Sequence, residues 1–167
     1  LVLTDIDICS PIGHHEKCPY EEGKEFVTSN KALKHYFDDN SITNYINRTF
    51  EQKLLKWDDV AKKMSPNIGG NMMVCYQTKE GTYQPRSFED DFFQLNADFV
   101  VGSHIDETAL RDGAFNTFKI DKDPYKPAEN GVVSKAALAI SLMLAENEEK
   151  KWEVPTYIKE GLLWLRK

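Results

Sequence analysis

The sequence predicts an α/β fold with a central, mostly parallel sheet flanked by helices. The first observation is a short apolar run, Leu1 to Ile6, which ends among acidic residues as central parallel strands often do. The second is the order of elements, in which strands alternate with helical stretches. The third is a composition of 41% hydrophobic and 29% charged residues, which supports a packed core. The length of 167 residues suits one domain over residues 1–167.

Capping residues and apolar spacing predict the elements of the first half. After the first strand, residues 7–29 contain several prolines and glycines and few periodic apolar residues, which predicts a long loop. Ser29 or Asn30 can cap a helix that ends at Phe37. Apolar residues near helical spacing then predict a second helix over residues 42–64.

The second half is predicted to be mainly helical. A strand over residues 72–77 comes first, and Ser87 then caps a helix that carries several phenylalanines. The remaining predictions are a helix over 105–115, a polar loop over 121–131, a helix from Ser134 to about Asn147, and a final helix with Pro155 in its first turn.

Composition also bounds the function. The net charge of −6 argues against a stand-alone module that grips DNA through basic residues. It does not exclude a nuclease, because a metal site concentrates acids and the metal supplies positive charge. No apolar run approaches the roughly 18–20 residues that span a bilayer, so no membrane partner is expected. Three cysteines form no dense framework, which favours the reducing cytoplasm.

Two acids close the first predicted strand. In Thr4-Asp5-Ile6-Asp7, the alternation of side chains along a strand predicts that Asp5 and Asp7 project to the same side. Open α/β sheets bind ligands at the carboxyl ends of their strands, and neighbouring carboxylates repel unless a cation joins them. Such hard oxygen ligands suit Mg²⁺ or Mn²⁺. The alternative is that both acids lie in a solvated turn.

Ser87, Glu89 and Lys135 are the next candidates. Glu89 falls in the first turn of the helix that Ser87 caps, where the helix dipole favours an acid, so ordinary helix-start chemistry also explains this pair. Lys135 stands at the start of an apolar helix, where a cation opposes the dipole. An anionic phosphate is one reason for that position, and simple exposure beside a capping serine is the other.

Four potential zinc ligands, Cys9, His14, His15 and Cys18, fall in the predicted loop. Thiolates and imidazoles bind zinc, but this spacing matches no standard structural zinc site. The sequence has no nucleophile elbow of the G-x-S-x-G type. It also has no phosphate-binding loop, so the chain is not expected to hydrolyse ATP by itself.

Considered together, several segments resemble the Toprim domain, the nuclease domain of OLD-family (overcoming lysogenization defect) ATP-dependent endonucleases. In order, and over essentially the whole chain, the segments are LVLTDID (1–7), TSN (28–30), YQPRSFEDDF (83–92), SKAALAISLM (134–143) and WEVPTYIKEGLLWL (152–165). The most specific are R-S-F-E-D and the closing P-x-Y-I-K-E-G-L-x-W-L. The resemblance implies a Toprim-like, Rossmann-like sheet.

The resemblance also implies a role for each candidate. Asp5 and Asp7 match a D-x-D pair that holds a divalent cation, and Ser87 and Glu89 match an S-x-E pair that completes its shell. Lys135 matches a lysine that stabilises charge in the transition state. The implied activity is hydrolysis of DNA phosphodiester bonds by a two-metal mechanism with Mg²⁺ or Mn²⁺, in a cytoplasmic endonuclease with a role in phage defence.

The family implies partners beyond this sequence. Its second metal depends on glutamates from an earlier strand and helix, and an ATPase domain precedes them; these 167 residues contain neither. We therefore expect a C-terminal part of a longer protein, with a sheet incomplete at its N-terminus. The longer protein is expected to bind ATP in its N-terminal domain, to form a homodimer and to act on DNA, whereas this part alone is expected to be weak or inactive.

Two other functions remain open. LVLTDID also looks like the opening of a haloacid-dehalogenase-type phosphatase, in which the first Asp is a nucleophile and the second a general acid. That family usually continues with Gly or Thr, whereas Ile8 and Cys9 follow here, and no Asp occurs after Asp123 to supply its downstream metal motif. The second alternative is a non-catalytic assembly module in which the acids are structural.

Overall fold

The structure, a computed structural model, describes residues 1–13, 16–103, 109–145 and 151–166. The strands are β1 (Val2–Leu3), β2 (Ile8–Cys9), β3 (Val27–Thr28), β4 (Leu54–Asp58), β5 (Lys63–Pro66) and β6 (Met72–Cys75). The α-helices are α1 (Lys31–Phe37), α2 (Ile42–Ile46), α3 (Phe88–Leu95), α4 (Ala97–Gly102), α5 (Asp112–Asp121), α6 (Lys135–Ala145) and α7 (Thr156–Leu165). A 3₁₀ turn (Glu51–Lys53) and a π-helical turn (Pro127–Gly131) complete the described elements.

The chain divides into two compact units. The first unit contains Leu1–Arg86 and Thr156–Lys167, and the second unit contains Ser87–Pro155. The described strands all belong to the first unit, and the described part of the second unit is helical. The predicted α/β class is therefore confirmed, while the assignment of residues 1–167 to one Toprim domain stays a prediction.

The first unit is built on a four-stranded sheet with the order β1-β6-β4-β5. β1 pairs with β6 in parallel, and β4 pairs antiparallel with both β6 and β5. The sheet is thus mixed, and the prediction of a mostly parallel sheet holds only for the pair β1 and β6. The pairing of β4 with β5 is antiparallel because the two strands form a hairpin, which needs only a short turn rather than a helical crossover.

Both faces of β6 are covered, which explains its unbroken apolar sequence. Val74 belongs to a core with Ile6, Leu33 and Tyr45, whereas Met73 packs on the other face. There the alternate residues of β6 meet the final helix, α7, through Tyr157. Helix α7 also brings the buried Lys53 into an ion pair, with its Nζ 2.8 Å from Oε2 of Glu160.

The predicted helix over residues 42–64 is wrong beyond its first turn and a half. Helix α2 ends at Ile46, and the remainder of the predicted range contains the 3₁₀ turn, β4 and the beginning of β5. Leu54 and Leu55 are both buried although they are adjacent, which fits a strand buried on both faces rather than one face of a helix. The helical spacing of apolar residues in this stretch therefore arose from a short helix, α2, followed by a strand, β4, and not from one continuous helix.

The predicted loop over residues 7–29 contains a small antiparallel sheet. β2 pairs with β3, with Ile8 opposite Thr28 and Cys9 opposite Val27. Helix α1 follows directly, and the N-cap is Asn30, whose side chain accepts hydrogen bonds from the amides of Ala32 and Leu33. This confirms the prediction of a capped helix that ends at Phe37.

The second unit has its own core, which consists of aromatic and aliphatic side chains from α3, α4, α5 and α6. Ser87 caps α3 by accepting from the Asp90 amide, and Ser134 caps α6 by accepting from the Ala137 amide, so both predicted caps are confirmed. Burial on α6 is centred on Leu138 and Leu142.

Three predicted boundaries need correction or lie outside the described residues. In the described part of the helix predicted over 105–115, α5 begins at Asp112. The residues just before it are not helical, since Leu110 bridges Val132 and the Arg111 amide donates to the Gly131 carbonyl. The predicted loop over 121–131 includes the π-helical turn. Residues 104–108 and the predicted end of α6 at Asn147 lie outside the described ranges.

Within the described ranges, none of the helices combines the length and apolar character needed to cross a bilayer.

Candidate functional site

Asp5 lies in the segment between β1 and β2, at the carboxyl end of β1. The Thr4 amide donates to the Cys75 carbonyl at 3.1 Å, so the parallel ladder continues one residue past β1. Gln77 then continues it through its side chain. Its Oε1 accepts from the Ile6 amide at 2.8 Å, and its Nε2 donates to Asp5 Oδ1 at 2.7 Å. Because Gln77 is fully buried, one side chain fixes both the backbone and the carboxylate of this segment.

The same segment is held from the other side by residues before α1. Asn30 Nδ2 donates to Thr4 Oγ1 at 2.7 Å and to the Asp5 carbonyl at 2.6 Å, while its Oδ1 caps α1. Thr28 Oγ1 donates to the Ile6 carbonyl at 2.6 Å. The polar groups of the segment are therefore largely satisfied by protein donors and acceptors, which restricts its conformation.

Asp7 departs from the extended conformation that the sequence predicted. Its φ is +50°, a left-handed conformation that aspartate tolerates better than most residues. Its amide donates to the Arg86 carbonyl and its own carbonyl accepts from the Ser29 amide, both at 3.0 Å. Strand alternation therefore stops before Asp7, and it no longer supports the prediction that Asp5 and Asp7 project to one side.

Glu89 and Lys135 come together in the second unit. Lys135 Nζ lies 2.7 Å from Glu89 Oε1, although the two residues are far apart in sequence and start different helices, α3 and α6. Glu89 is buried, whereas 75% of the Lys135 side chain is exposed. The carboxylate also lies in the first turn of α3, where the helix dipole favours negative charge. Such partners offset part of the free-energy cost of burying a carboxylate away from water.

The candidates thus form two groups. Asp5 and Asp7 lie in the first unit, and Ser87, Glu89 and Lys135 lie in the second. Among residues 1–13, 16–103, 109–145 and 151–166, no three His, Cys, Asp or Glu side chains are placed to hold a metal ion together. The assignment of these five residues to one centre stays a prediction.

The donor chemistry within each group fits a hard cation. A carboxylate offers about four lone-pair positions on its two oxygens, and the Gln77 amide uses one position on Asp5. A metal-binding carboxylate is commonly oriented by an outer hydrogen bond of this kind. Asp5, Asp7 and Glu89 would supply oxygen ligands of the type that Mg²⁺ and Mn²⁺ prefer.

Among the described residues, the structure shows no set of side chains that could bind zinc together. Cys9 is buried and Cys18 is half-buried, both as free thiols. Burial, together with the neighbouring Cys9, raises the pKa of the Cys18 thiol and keeps it protonated at neutral pH. His14 and His15 lie outside the described residues, so the four-residue cluster stays a prediction.

Gln77 is the site residue that the sequence reading missed. The signal was present, since Gln77 is a polar residue that directly follows the apolar run of residues 72–76. Its role depends on the parallel pairing of β1 with β6, which brings the end of one strand beside the end of the other. Local sequence does not report that pairing.

Comparisons with protein-family models, with curated proteins and with solved structures found no match for this chain.

Proposed function

We propose that this chain supplies carboxylate ligands and a lysine to a metal-dependent site that hydrolyses phosphodiester bonds in DNA. Its fold would then be Toprim-like, and the chain would act as the nuclease portion of an OLD-family endonuclease. The observation that carries the proposal is the contact between Glu89 and Lys135. These two residues were assigned to one site from separate motifs, and the same two residues form an ion pair.

The side chains of the chain have complementary tasks in this proposal. Asp5, Asp7 and Glu89 hold the cation, with Ser87 beside Glu89 at the start of α3. Gln77 orients the Asp5 carboxylate. Lys135, whose side chain is long and largely exposed, turns from Glu89 towards the negative charge that develops on the phosphate. A bound Mg²⁺ or Mn²⁺ supplies Lewis acidity at the scissile phosphate.

The proposal is tested with supercoiled and oligonucleotide DNA in the presence of Mg²⁺ or Mn²⁺. Because this part alone is expected to be weak, the wild type is expected to show slow but detectable cleavage. Both Asp5→Asn and Glu89→Gln are expected to lower that rate by about 10²–10³-fold, as when a charge-stabilising group is removed elsewhere. Asp112→Asn is the matched control, since Asp112 is also a first-turn acid but starts α5. Circular dichroism of each variant checks that the fold is retained.

Calorimetric titration with Mn²⁺ gives a second readout that does not need turnover. Saturable binding that disappears in an Asp5→Ala/Glu89→Ala variant but persists in Asp112→Asn would support a shared centre. Equal cleavage by the wild type, Asp5→Asn and Glu89→Gln would overturn the proposal. Turnover of p-nitrophenyl phosphate without cleavage of DNA would instead favour the phosphatase alternative.

A further inference from the structure

A cavity of about 180 Å³ opens beside the Glu89–Lys135 pair, within the second unit. Its walls are side chains of α3 and α6, and they include Phe88, Phe92, Leu138 and Leu142. Glu89 and Lys135 are the charged residues among its lining. The cavity therefore presents an apolar interior next to an acid and a base.

The volume of the cavity and its aromatic lining favour a single ring as the bound group. Whole-ligand pockets commonly measure about 300–1,000 Å³, so this cavity is too small for a complete nucleotide. Phe88 is 39% exposed, and its ring centroid lies 5.9 Å from that of the buried Phe92. Aromatic surface thus extends from the opening towards the interior, as it does where proteins stack nucleic-acid bases.

The Glu89–Lys135 pair indicates which chemical group would be attached to a ring bound in the cavity. If Lys135 meets a phosphate, as the proposed function requires, then a base joined to that phosphate through one sugar lies within reach of the cavity. We propose that this cavity receives the unstacked base of the nucleotide beside the scissile phosphate, with Phe88 as its stacking partner. This inference rests on the proposed function and adds a substrate preference to it.

The preference is for single-stranded or locally opened DNA. In an intact duplex the base is stacked and paired, and its release costs a few kcal/mol before it can enter a pocket. In a single strand that cost is largely absent, and base–aromatic stacking is tolerant of sequence because each base has a flat face. The cavity therefore predicts selection by strandedness rather than by base identity.

The test compares cleavage of single-stranded oligonucleotides that carry one abasic position, moved through the sequence, by the wild type and by Phe88→Leu. At one position next to the cut, the abasic change is expected to lower kcat/KM for the wild type by about five- to a hundredfold. Phe88→Leu is expected to lose a similar factor on the intact strand and to be insensitive to the abasic change at that position. Losses that do not add are the signature of a direct contact.

Two further variants keep the test decisive. Ala139→Leu narrows the cavity without removing an aromatic ring and is expected to reproduce the loss, so a folding defect in Phe88→Leu does not end the test. Ile140→Ala is the control, because Ile140 is an exposed apolar residue of α6 outside the lining. Its kcat/KM on single strands is expected to stay within about twofold of wild type, as for a surface change.

The outcomes separate the two proposals. If the wild type cleaves DNA but the abasic and Phe88→Leu losses simply add at every position, the cavity is not a base site and the proposed function stands. If the wild type cleaves neither strand form with either metal, the proposed function and the inference both fail.

Discussion

Replacing Gln77 by leucine tests the hydrogen bonds that hold the Asp5 segment. Leucine keeps a side chain of similar size but can neither accept from the Ile6 amide nor donate to the Asp5 carboxylate. The Ile6 amide would then be buried without its partner, since both Ile6 and Gln77 have no exposed surface. The change therefore removes two bonds at once, one to the fully buried Ile6 amide and one to the half-buried Asp5 carboxylate.

The expected loss follows from the kinds of bond involved. A neutral buried hydrogen bond contributes about 0.5–1.5 kcal/mol, and one to a charged group about 1.5–3 kcal/mol. We therefore expect Gln77→Leu to lower the free energy of unfolding of the first unit by about 2–4 kcal/mol. Gln52→Leu is the matched control, because Gln52 is exposed and its side chain makes a local bond to the Thr49 amide.

Urea unfolding followed by tryptophan fluorescence measures both losses. A Trp152→Phe background leaves Trp57 and Trp164, which both belong to the first unit, so the signal reports on that unit. The slope of free energy against urea should be unchanged if only stability is altered. A loss for Gln77→Leu within about 0.5 kcal/mol of that for Gln52→Leu would refute the inference that Gln77 fixes the segment.

Two other predictions concern turns of the first unit. Gly70→Ala is expected to lower the free energy of unfolding by about 1–3 kcal/mol, because an added Cβ would lie 2.5 Å from the Leu55 carbonyl oxygen. Gly69→Ala, whose Cβ meets only the end of a side chain at 3.4 Å, is its control in urea titrations and should cost less. Equal costs would contradict this explanation. Hydrogen bonds from the Ala61 and Val60 amides lower the pKa of Asp58, so its contribution is present above the ordinary carboxyl pKa and is lost as pH falls through the lowered value. The difference in urea midpoint between wild type and Asp58→Ala should therefore shrink between about pH 6 and pH 2, and a constant difference would contradict it.

Elements with local signals could be predicted from the sequence. The Asn30 and Ser87 caps are examples, because a side-chain acceptor two or three residues before its donors is encoded within one turn. The hairpin of β4 and β5 was missed, since its strands depend on pairing partners rather than on their own residues. Each strand of the hairpin is also short, and the few apolar residues in so short a run do not distinguish a strand from a helix.

The same division applies to the candidate site. Asp5, Glu89 and Lys135 were identified because acids at a strand end, or charges at a helix start, are visible in a short window of sequence. The left-handed backbone of Asp7 was not predicted, because it follows from bonds to Arg86 and Ser29, which only the folded chain brings near. Tertiary contacts thus decide how predicted residues are oriented.

The double role of Asn30 makes the start of α1 a reporter for the Asp5 segment. The Asn30 side chain accepts from the first-turn amides of α1 and donates to the Asp5 carbonyl. A local unfolding event that breaks one of these hydrogen bonds therefore strains the other. Amide hydrogen exchange at Ala32 and Leu33 would then follow the ordering of a segment more than twenty positions earlier, within one cooperative opening unit. Binding of a ligand at Asp5 would be visible as slower exchange in a helix that the ligand does not touch.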